Sequence, residues 1–304
     1  MEKYKLNCGY GGSENMSNFI ISVDSSCDYR KSELDEKNIK CISFNYSCEQ
    51  TIYTDKMEEK EYLNFYNKMK EGKVFKTSQI NPESYYNYFK ELLSYNLPII
   101  HISLGSGVSN TINSAFLAIN QLKEDFDNVD IRLIDTKLAS MGSVLIMDKL
   151  LEFDKKGLNV NEAMNQIEDF VPSLNAYYTT NTLTYFARGG RLSKVEAFIG
   201  NAIKINPIMD CDPNGKLRVI EKVRGSRKAL DRLIERIKNS VINPENQIVY
   251  ICHADNEESA KTLGERLIKE VGFKEFKIYL MGPIIGAHAG PGVVACFFFG
   301  EKRT

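Results

Sequence analysis

The sequence predicts an α/β protein of two domains, the first with a parallel sheet and the second of α+β type with a mostly antiparallel sheet. Its 304 residues exceed the usual size of one domain. Apolar runs alternate with helical patterns as far as Pro172, which is typical of a parallel sheet with helices on both faces. After Pro172, Asp212-Pro213-Asn214-Gly215 between two apolar runs indicates a hairpin. We therefore predict an N-terminal domain at 18–172 and a C-terminal domain at 173–304, with 1–17 an extension or tag.

The composition describes a globular chain that is able to bury a core, with 43% hydrophobic and 26% charged residues. A formal net charge of -1 offers no general attraction to nucleic acid or to anionic membranes. No apolar run has the length of a transmembrane helix and no secretory signal follows the start, so we expect a cytoplasmic protein. The seven cysteines form no CxxC pair and the three histidines are far apart, which predicts reduced thiols and no metal site.

The first predicted strand runs from Phe19 to Val23 and ends in the polar cluster Asp24-Ser25-Ser26-Cys27-Asp28. Open α/β sheets place their binding sites at the carboxyl ends of strands, which makes this cluster a candidate site. An ordinary turn with a helix cap explains the same residues equally well.

The remaining N-terminal elements follow in the same alternation of strands and helices. A hydroxyl-rich loop at 76–82, which contains Thr77, leads into a helix whose first turn accommodates Pro82. The predicted strands are Cys41 to Phe44, Ile99 to Ser103 and Val129 to Ile134, and the predicted helices are Glu58 to Met69, Glu83 to Tyr95, Met141 to Phe153 and Val160 to Phe170.

The turn Gly105-Ser106-Gly107-Val108-Ser109 connects a buried strand to a helix. Apolar residues then recur at helical spacing and predict one shared face, made of Val108, Ile112, Ala115, Phe116 and Ile119. Unpaired N–H groups and the dipole at a helix start favour an anion, and two serines add hydroxyl donors. The turn is therefore a candidate carboxylate or phosphate cradle, although Ser and Asn beside Gly are also ordinary helix caps.

The C-terminal domain is predicted to combine a hairpin with a strand-helix-strand unit. A short helix from Leu183 is stopped by Arg188-Gly189-Gly190-Arg191, and His288 lies in a loop rich in glycine and proline at 282–292. The predicted strands are Ala176 to Thr180, Lys204 to Cys211, Lys216 to Val223, Ile248 to Cys252, Phe276 to Leu280 and Val293 to Phe299, with helices Arg227 to Lys238 and Glu257 to Val271.

These motifs together resemble the DegV family, which includes the FakB-type fatty-acid-binding proteins. The polar cluster at 24–28, Thr77-Ser78-Gln79, the glycine turn, Arg188-Gly189-Gly190-Arg191-Leu192-Ser193 and the segment from Gly282 to His288 occur in the family's order. The resemblance extends from Phe19 to Gly300, and it includes Arg224 with Lys228 one helical turn further on. One departure is Leu-Gly-Ser-Gly in the turn, where the family commonly has Leu-Ser-Ser-Gly.

The resemblance implies one long-chain fatty acid bound in a tunnel between the two domains, with no other cofactor. The carboxylate-binding hydroxyls would be those of Thr77 and of the turn serines, with Ser106 as the first choice and Ser109 as the second. His288 matches the family's late histidine near the head group. Arg188 resembles the arginine that supports the head-group network, and we consider Arg191 the weaker alternative.

Apolar residues suited to the tunnel are present near these motifs, although most of them are equally consistent with plain core: Phe186, Phe198, Ile199, Ile203, Ile205 and Ile284. In FakB-like systems the bound acid is presented to a separate ATP-dependent fatty acid kinase that makes the acyl-phosphate for phospholipid metabolism. The sequence agrees with a passive role, since it has no P-loop. Arg224, Arg227 and Lys228 form a candidate docking edge for this partner or, equally, a solvated helix start.

Two other classes of function remain open at this point. A serine hydrolase acting on an acyl ester would use Ser106 or Ser109 as nucleophile with His288 and Asp24, but the turn is not the GxSxG of a nucleophile elbow. A phosphate- or nucleotide-binding regulator is the third class, weakened because no GxGxxG follows the first strand.

Overall fold

The structure, a computed structural model, describes residues 17–192 and 205–304 of the chain. Three of the predicted tunnel residues, Phe198, Ile199 and Ile203, lie outside the described residues, as does the extension up to residue 16. The described strands are β1 (Ile20–Asp24), β2 (Lys40–Ile42), β3 (Asn45–Cys48), β4 (Thr51–Thr54), β5 (Phe75–Ser78), β6 (Ile99–Ser103), β7 (Ile131–Asp135), β8 (Leu174–Thr179), β9 (Ile205–Cys211), β10 (Leu217–Arg224), β11 (Ile248–His253), β12 (Glu275–Leu280) and β13 (Val294–Phe299).

The described α-helices surround these strands, and short 3₁₀ turns follow β1 and α6 and precede β11. The helices are α1 (Lys31–Glu36), α2 (Glu59–Lys70), α3 (Pro82–Leu93), α4 (Thr111–Asp125), α5 (Met141–Lys155), α6 (Val160–Phe170), α7 (Thr184–Arg188), α8 (Ser226–Ser240), α9 (Glu257–Val271) and α10 (Pro283–Ala289).

The first sheet is parallel throughout, with the strand order β2-β1-β6-β7. Its two central strands, β1 and β6, are buried at every position, which is why their sequences are continuous apolar runs with little alternation. The predicted parallel sheet is therefore confirmed.

A second, three-stranded antiparallel sheet of order β4-β3-β5 was not predicted. The segment at 76–82, expected to be a loop, instead contains most of β5, and Thr77 pairs with Tyr46 of β3. Each of these strands has only four residues and most of β4 is exposed, so the brief alternation of β3, with Tyr46 and Cys48 buried, is too short to distinguish them from loop.

The third sheet has six strands in the order β10-β9-β8-β13-β11-β12 and is antiparallel except for the pair β11 and β12. The hairpin signal at 212–215 is confirmed, because β9 and β10 pair antiparallel on either side of it. All strands of this sheet follow Pro172 in the chain and all strands of the other two precede it. The boundary at residue 172 stays a prediction.

Two local predictions are wrong. The segment 282–292 contains the helix α10, so His288 lies in a helical turn and not in a loop. Val108 precedes α4 rather than forming part of it, and Phe116 is 54% exposed although its spacing placed it on the buried face. Ala115 and Ile119 of the same predicted face are buried.

The two halves of the chain meet around the glycine turn after β6. A Cβ on Gly107 would lie 2.1 Å from the carbonyl carbon of Gly215, at the tip of the β9–β10 hairpin. Two hydrogen bonds also join the two halves. The Arg303 guanidinium donates to the carbonyl oxygen of Lys137 at 2.9 Å, and the Tyr66 hydroxyl donates to the carbonyl oxygen of Met281 at 3.0 Å.

Candidate functional site

An apolar cavity lies between the carboxyl ends of the parallel strands and one face of the six-stranded sheet. It contains about 900 Å³ of empty space, part of which is open to solvent. The polar residues of its lining are Thr77, Ser78, Gln79, Ser109, Ser140, Arg191 and His288. The rest of the lining is apolar or weakly polar: Phe44, Leu104, Val108, Leu138, Ala139, Ala176, Tyr178, Phe186, Cys211, Leu217, Met281, Ile284, Ile285, Ala289, Val293, Ala295 and Phe297.

Thr77 and His288 form the closest polar pair of this cavity. The Thr77 Oγ1 atom lies 2.7 Å from Nε2 of His288, so β5 and α10 bring together two residues that are 211 positions apart. Burial, and then the positive charge of Arg191, lower the pKa of His288 to about 4, so the imidazole is neutral at pH 7. Its other nitrogen, Nδ1, is buried and has no hydrogen-bond partner among the described residues.

Gly189 determines how closely the chain after α7 approaches this imidazole. A Cβ at position 189 would lie 2.2 Å from Nδ1 of His288, so a side chain there would displace the ring. The Arg-Gly-Gly-Arg motif therefore passes directly beside the histidine.

Ser109 is the turn serine that lines the cavity. It is 9% exposed, and its Oγ accepts a hydrogen bond from the backbone N–H of Thr111 at 3.3 Å. Its hydroxyl hydrogen is therefore available to a ligand in the cavity.

Ser106, the first choice from the sequence, does not line the cavity. It is exposed, and its Oγ accepts from Nζ of Lys137 at 2.9 Å while its backbone N–H donates to Asp135. The turn thus separates its two serines, one toward the cavity and one toward solvent.

The two arginines of the Arg-Gly-Gly-Arg motif are also separated. Arg188 is exposed and its guanidinium lies 5.3 Å from the ring centre of Tyr185, which does not agree with a buried supporting role. Arg191 lines the cavity, with its Nε donating to the carbonyl oxygen of Val108 at 3.0 Å. Burial lowers the pKa of Arg191, but an arginine retains its charge.

The carboxylates of the 24–28 cluster accept hydrogen bonds from two backbone segments that line the cavity. Asp24 accepts from the backbone N–H of Leu104 at 2.8 Å, which fixes the start of the glycine turn. Asp28 accepts from the hydroxyl of Ser140 and from the N–H of Gly282 at 2.8 Å, which fixes the start of α10. Burial raises the pKa of Asp24 to about 6 and that of Asp28 to about 7.

The backbone N–H groups of the glycine turn are mostly occupied. The N–H groups of Val108 and Ser109 donate to the carbonyl oxygen of Gly105, and that of Gly105 donates to Leu138. The predicted anion cradle of free N–H groups is therefore largely absent from this turn, and the donors available to a ligand are side chains.

Of the predicted tunnel residues, Phe186 and Ile284 line the cavity and are 5% and 3% exposed. Arg224, Arg227 and Lys228 lie apart from it, on the surface at the end of β10 and the start of α8. None of these three side chains forms an ion pair within the described parts of the chain.

Sequence reasoning missed the cavity wall contributed by the six-stranded sheet. Ala176 and Tyr178 of β8 face Phe297 and Ala295 of β13 in register and line the cavity together. The signal was the period of two along these strands, which was obscured because both faces of the sheet are buried.

Two further findings concern the described residues as a whole. Across residues 17–192 and 205–304, no group of three or more His, Cys, Asp or Glu side chains is arranged to bind a metal ion. In the same part of the chain, every helix is too short or too polar to span a membrane.

The sequence was also compared with known proteins. A family model described as "Uncharacterised protein, DegV family" matches residues 18–301. A DegV domain-containing protein of Clostridium perfringens is 31% identical over 289 residues, which cover 95% of this chain and 99% of the relative. A fatty acid-binding protein of Thermotoga maritima is 31% identical over 281 residues, which cover 90% of this chain and 95% of the relative.

A solved structure shares the fold. The crystal structure of a protein of the same family from Ruminococcus gnavus, refined with vaccenic acid, superimposes with a TM-score of 0.82 at 26% identity. The match covers 92% of this chain and 99% of that structure.

Proposed function

The chain belongs to the DegV family, and we propose that it binds one long-chain fatty acid in the apolar cavity and carries it without acting on it chemically. The observation that carries this proposal is the Thr77–His288 pair at the polar part of an otherwise apolar cavity. The fatty acid-binding relative from Thermotoga maritima and the vaccenic acid in the structure from Ruminococcus gnavus support it.

The chemistry of the cavity suits a fatty acid. Burying about fourteen methylenes contributes on the order of 11 kcal/mol at about 0.8 kcal/mol each. Burying a carboxylate without partners would cost several kcal/mol, so the site must supply charge-assisted hydrogen bonds. We assign that role to the hydroxyls of Thr77 and Ser109, with the positive charge of Arg191 beside them.

His288 orients the Thr77 hydroxyl in this proposal. With its Nε2–H donating to Thr77 Oγ1, the hydrogen of the threonine hydroxyl is free to donate to the carboxylate. A bound carboxylate would raise the pKa of His288 from its low value, because a negative charge nearby favours the imidazolium.

The serine hydrolase alternative has no geometric support. Ser106 is hydrogen-bonded to Lys137, and Ser109 to the backbone N–H of Thr111. His288 is hydrogen-bonded to Thr77, and Asp24 to Ser26 and Leu104, so neither serine has His288 as its partner. A nucleophile requires a base within hydrogen-bond reach.

Mass spectrometry of small molecules released from the denatured protein tests the carrier proposal. We expect near-stoichiometric long-chain fatty acid from the purified wild type. In displacement of a labelled fatty acid, Ser109→Ala should weaken binding by about 10- to 150-fold, the value of one hydrogen bond to a charged group.

Ser106→Ala is the matched control, three residues away in the same turn and outside the cavity. It should bind as tightly as the wild type. A wild type that neither releases nor binds any fatty acid would refute the proposal, and a loss of binding in Ser106→Ala but not in Ser109→Ala would refute the assigned head site.

We further propose that a fatty acid kinase docks at Arg224, Arg227 and Lys228 and transfers the γ-phosphoryl group of ATP to the bound carboxylate, giving acyl-phosphate and ADP. Three exposed cations without acidic partners in the described part of the chain form a suitable surface for an acidic partner. Hydroxylamine trapping of acyl-phosphate, with ATP and an extract of the source cells, tests this step.

The triple variant Arg224→Glu, Arg227→Glu and Lys228→Glu should retain its fatty acid but yield no hydroxamate. Equal yields from the variant and the wild type would exclude this docking surface.

A further inference from the structure

A second cavity lies on the opposite face of the six-stranded sheet from the fatty-acid cavity. Along β8, Ala176 and Tyr178 line the first cavity, and Thr179 lines the second, as expected for neighbours that point to opposite faces of a strand. The second cavity contains about 840 Å³ of empty space and is partly open to solvent. Nothing in the proposed carrier function uses it.

The lining of this cavity is polar and almost free of charge. Hydroxyl and amide side chains make up most of it, and Asp255 is its one charged group among the described residues, held at 2.5 Å from Nζ of Lys70. Leu230, Pro291 and Gly292 supply the apolar part. The lining of the apolar cavity, in contrast, consists mostly of apolar side chains.

Two amide side chains present fixed acceptors. The Asn206 amide nitrogen donates to the carbonyl oxygen of Thr180 at 3.0 Å, and the Asn256 amide nitrogen donates to that of Gly292 at 3.0 Å. Each Oδ1 is left without a partner in the part of the chain that the structure describes, and with the Asp255 carboxylate they form a set of acceptors.

Donors come from two helix starts at the same cavity. Ser226 is the first residue of α8, and Ser259 lies in the first turn of α9, two helices of 15 residues each. Neither helix start has a side-chain cap, so the first N–H groups of both are available.

One buried hydroxyl beside this cavity lacks a hydrogen-bond partner in the described part of the chain. Thr179 is 6% exposed, and its Oγ1 is buried with no hydrogen-bond partner among residues 17–192 and 205–304. An unpaired buried hydroxyl is unfavourable, and a ligand hydroxyl that enters the cavity would satisfy it after a rotation about χ1.

We propose that this second cavity, defined by Thr179, Asn206, Ser226, Asp255, Asn256 and Ser259, binds a small neutral polyhydroxylated molecule, a polyol or sugar. A phosphate is an anion with more acceptors than donors, and it would meet the carboxylate of Asp255 and two amide oxygens. An ammonium group would meet two helix N-termini, which disfavour a cation. A hydroxyl both donates and accepts, so it matches both sets of groups at once.

Saturation-transfer NMR on the full chain tests this site with glycerol, D-glucose and inorganic phosphate as separate probes. We expect transfer to at least one of the two polyols at about millimolar affinity and none to phosphate. Thr179→Val, which keeps the shape of the side chain, and Ser226→Ala should each weaken polyol binding by about tenfold.

Ser240→Ala, at the other end of α8, is the matched control and should bind the polyol as the wild type does. The proposal is overturned if neither polyol binds at about 50 mM, where a millimolar site would be saturated, if phosphate binds in their place, or if both cavity variants bind normally. The fatty-acid content of every variant, measured in parallel, should be unchanged, so that failure here is distinguishable from failure of the carrier proposal.

Discussion

Gly107→Ala tests the contact that holds the glycine turn against the β9–β10 hairpin. The added Cβ would lie 2.1 Å from the carbonyl carbon of Gly215, 2.3 Å from its oxygen and 2.6 Å from the carbonyl oxygen of Asn214. All three atoms belong to the backbone, so no side chain can rotate away. Either the turn or the hairpin must move.

The sign of the change in stability shows whether the space beside Gly107 is filled by the hairpin or open. Gly107 is not among the glycines with positive φ, so without the contact alanine would stabilise the fold by about 0.4–1 kcal/mol through the unfolded chain. With the contact, crowding of this kind costs about 1–3 kcal/mol. At about 2–4 °C per kcal/mol, we expect the Tm to fall by about 2–12 °C.

Differential scanning calorimetry of the wild type, Gly107→Ala and Ser106→Ala measures this shift. Ser106→Ala changes the neighbouring exposed residue and should leave the Tm within about 1 °C, as surface changes usually do. Fatty-acid retention should also decline in Gly107→Ala, because Val108 and Leu217 on the two sides of the contact both line the cavity. An unchanged or raised Tm would refute this account of how the two halves meet.

Three further predictions concern the buried groups around the cavity. Because burial raises the pKa of Asp28 from 3.8 to about 7, the folded chain binds this proton at higher pH than the unfolded chain, and Asp28 lowers stability as pH rises through that window. The free energy of unfolding of Asp28→Asn, minus that of the wild type, should therefore rise between pH 5 and 7 by at most about 1.4 kcal/mol per pH unit. Urea unfolding at each pH measures this difference, and a difference that does not change with pH would contradict the prediction. Tyr66→Phe should lose about 1 kcal/mol in the same assay at pH 7, because the hydroxyl donates to the carbonyl oxygen of Met281, and an equal midpoint would show that the bond contributes nothing. Ala295→Leu should fill part of the cavity, so mass spectrometry should find less fatty acid or shorter chains, and a wild-type lipid profile would place the acyl chain elsewhere.

The neutral state of His288 has a consequence for how the ligand is held. Its low pKa arises from burial and from the nearby positive charge of Arg191, and a carboxylate bound between them would offset both causes. Binding of an acid at this site should therefore be coupled to proton uptake at mildly acidic pH, while at neutral pH the hydroxyl donors and Arg191 provide most of the stabilisation.

The order and type of most elements followed from the sequence. β1 and β6 are short, mostly apolar runs that are buried at every position. The helices α6 and α9 have the predicted bounds because their apolar residues recur at helical spacing. The small antiparallel sheet did not follow, since each of its strands has only four residues, and its buried side chains, Tyr46, Cys48 and Phe75, are too few to form a strand pattern along the sequence.

The residue types of the candidate site were also readable, but their orientation was not. Ser106 and Ser109 lie three residues apart in one turn, and Arg188 and Arg191 are separated by two glycines. The local sequence therefore does not show which member of each pair faces the cavity. Hydrogen bonds to Lys137 and Asp135, which form an ion pair with each other, hold Ser106 toward solvent. The close approach of Gly189 to His288 brings Arg191 to the cavity.

The sequence by itself therefore determined the family, the fold class and the set of motifs that could bind a carboxylate, because hydrophobic periodicity and turn chemistry act over a few residues. Only the tertiary structure decided which member of each motif faces the cavity and that β8 separates two cavities of opposite polarity. Those choices depend on contacts between residues more than a hundred positions apart, such as Thr77 with His288 and Gly107 with Gly215, which no local pattern encodes.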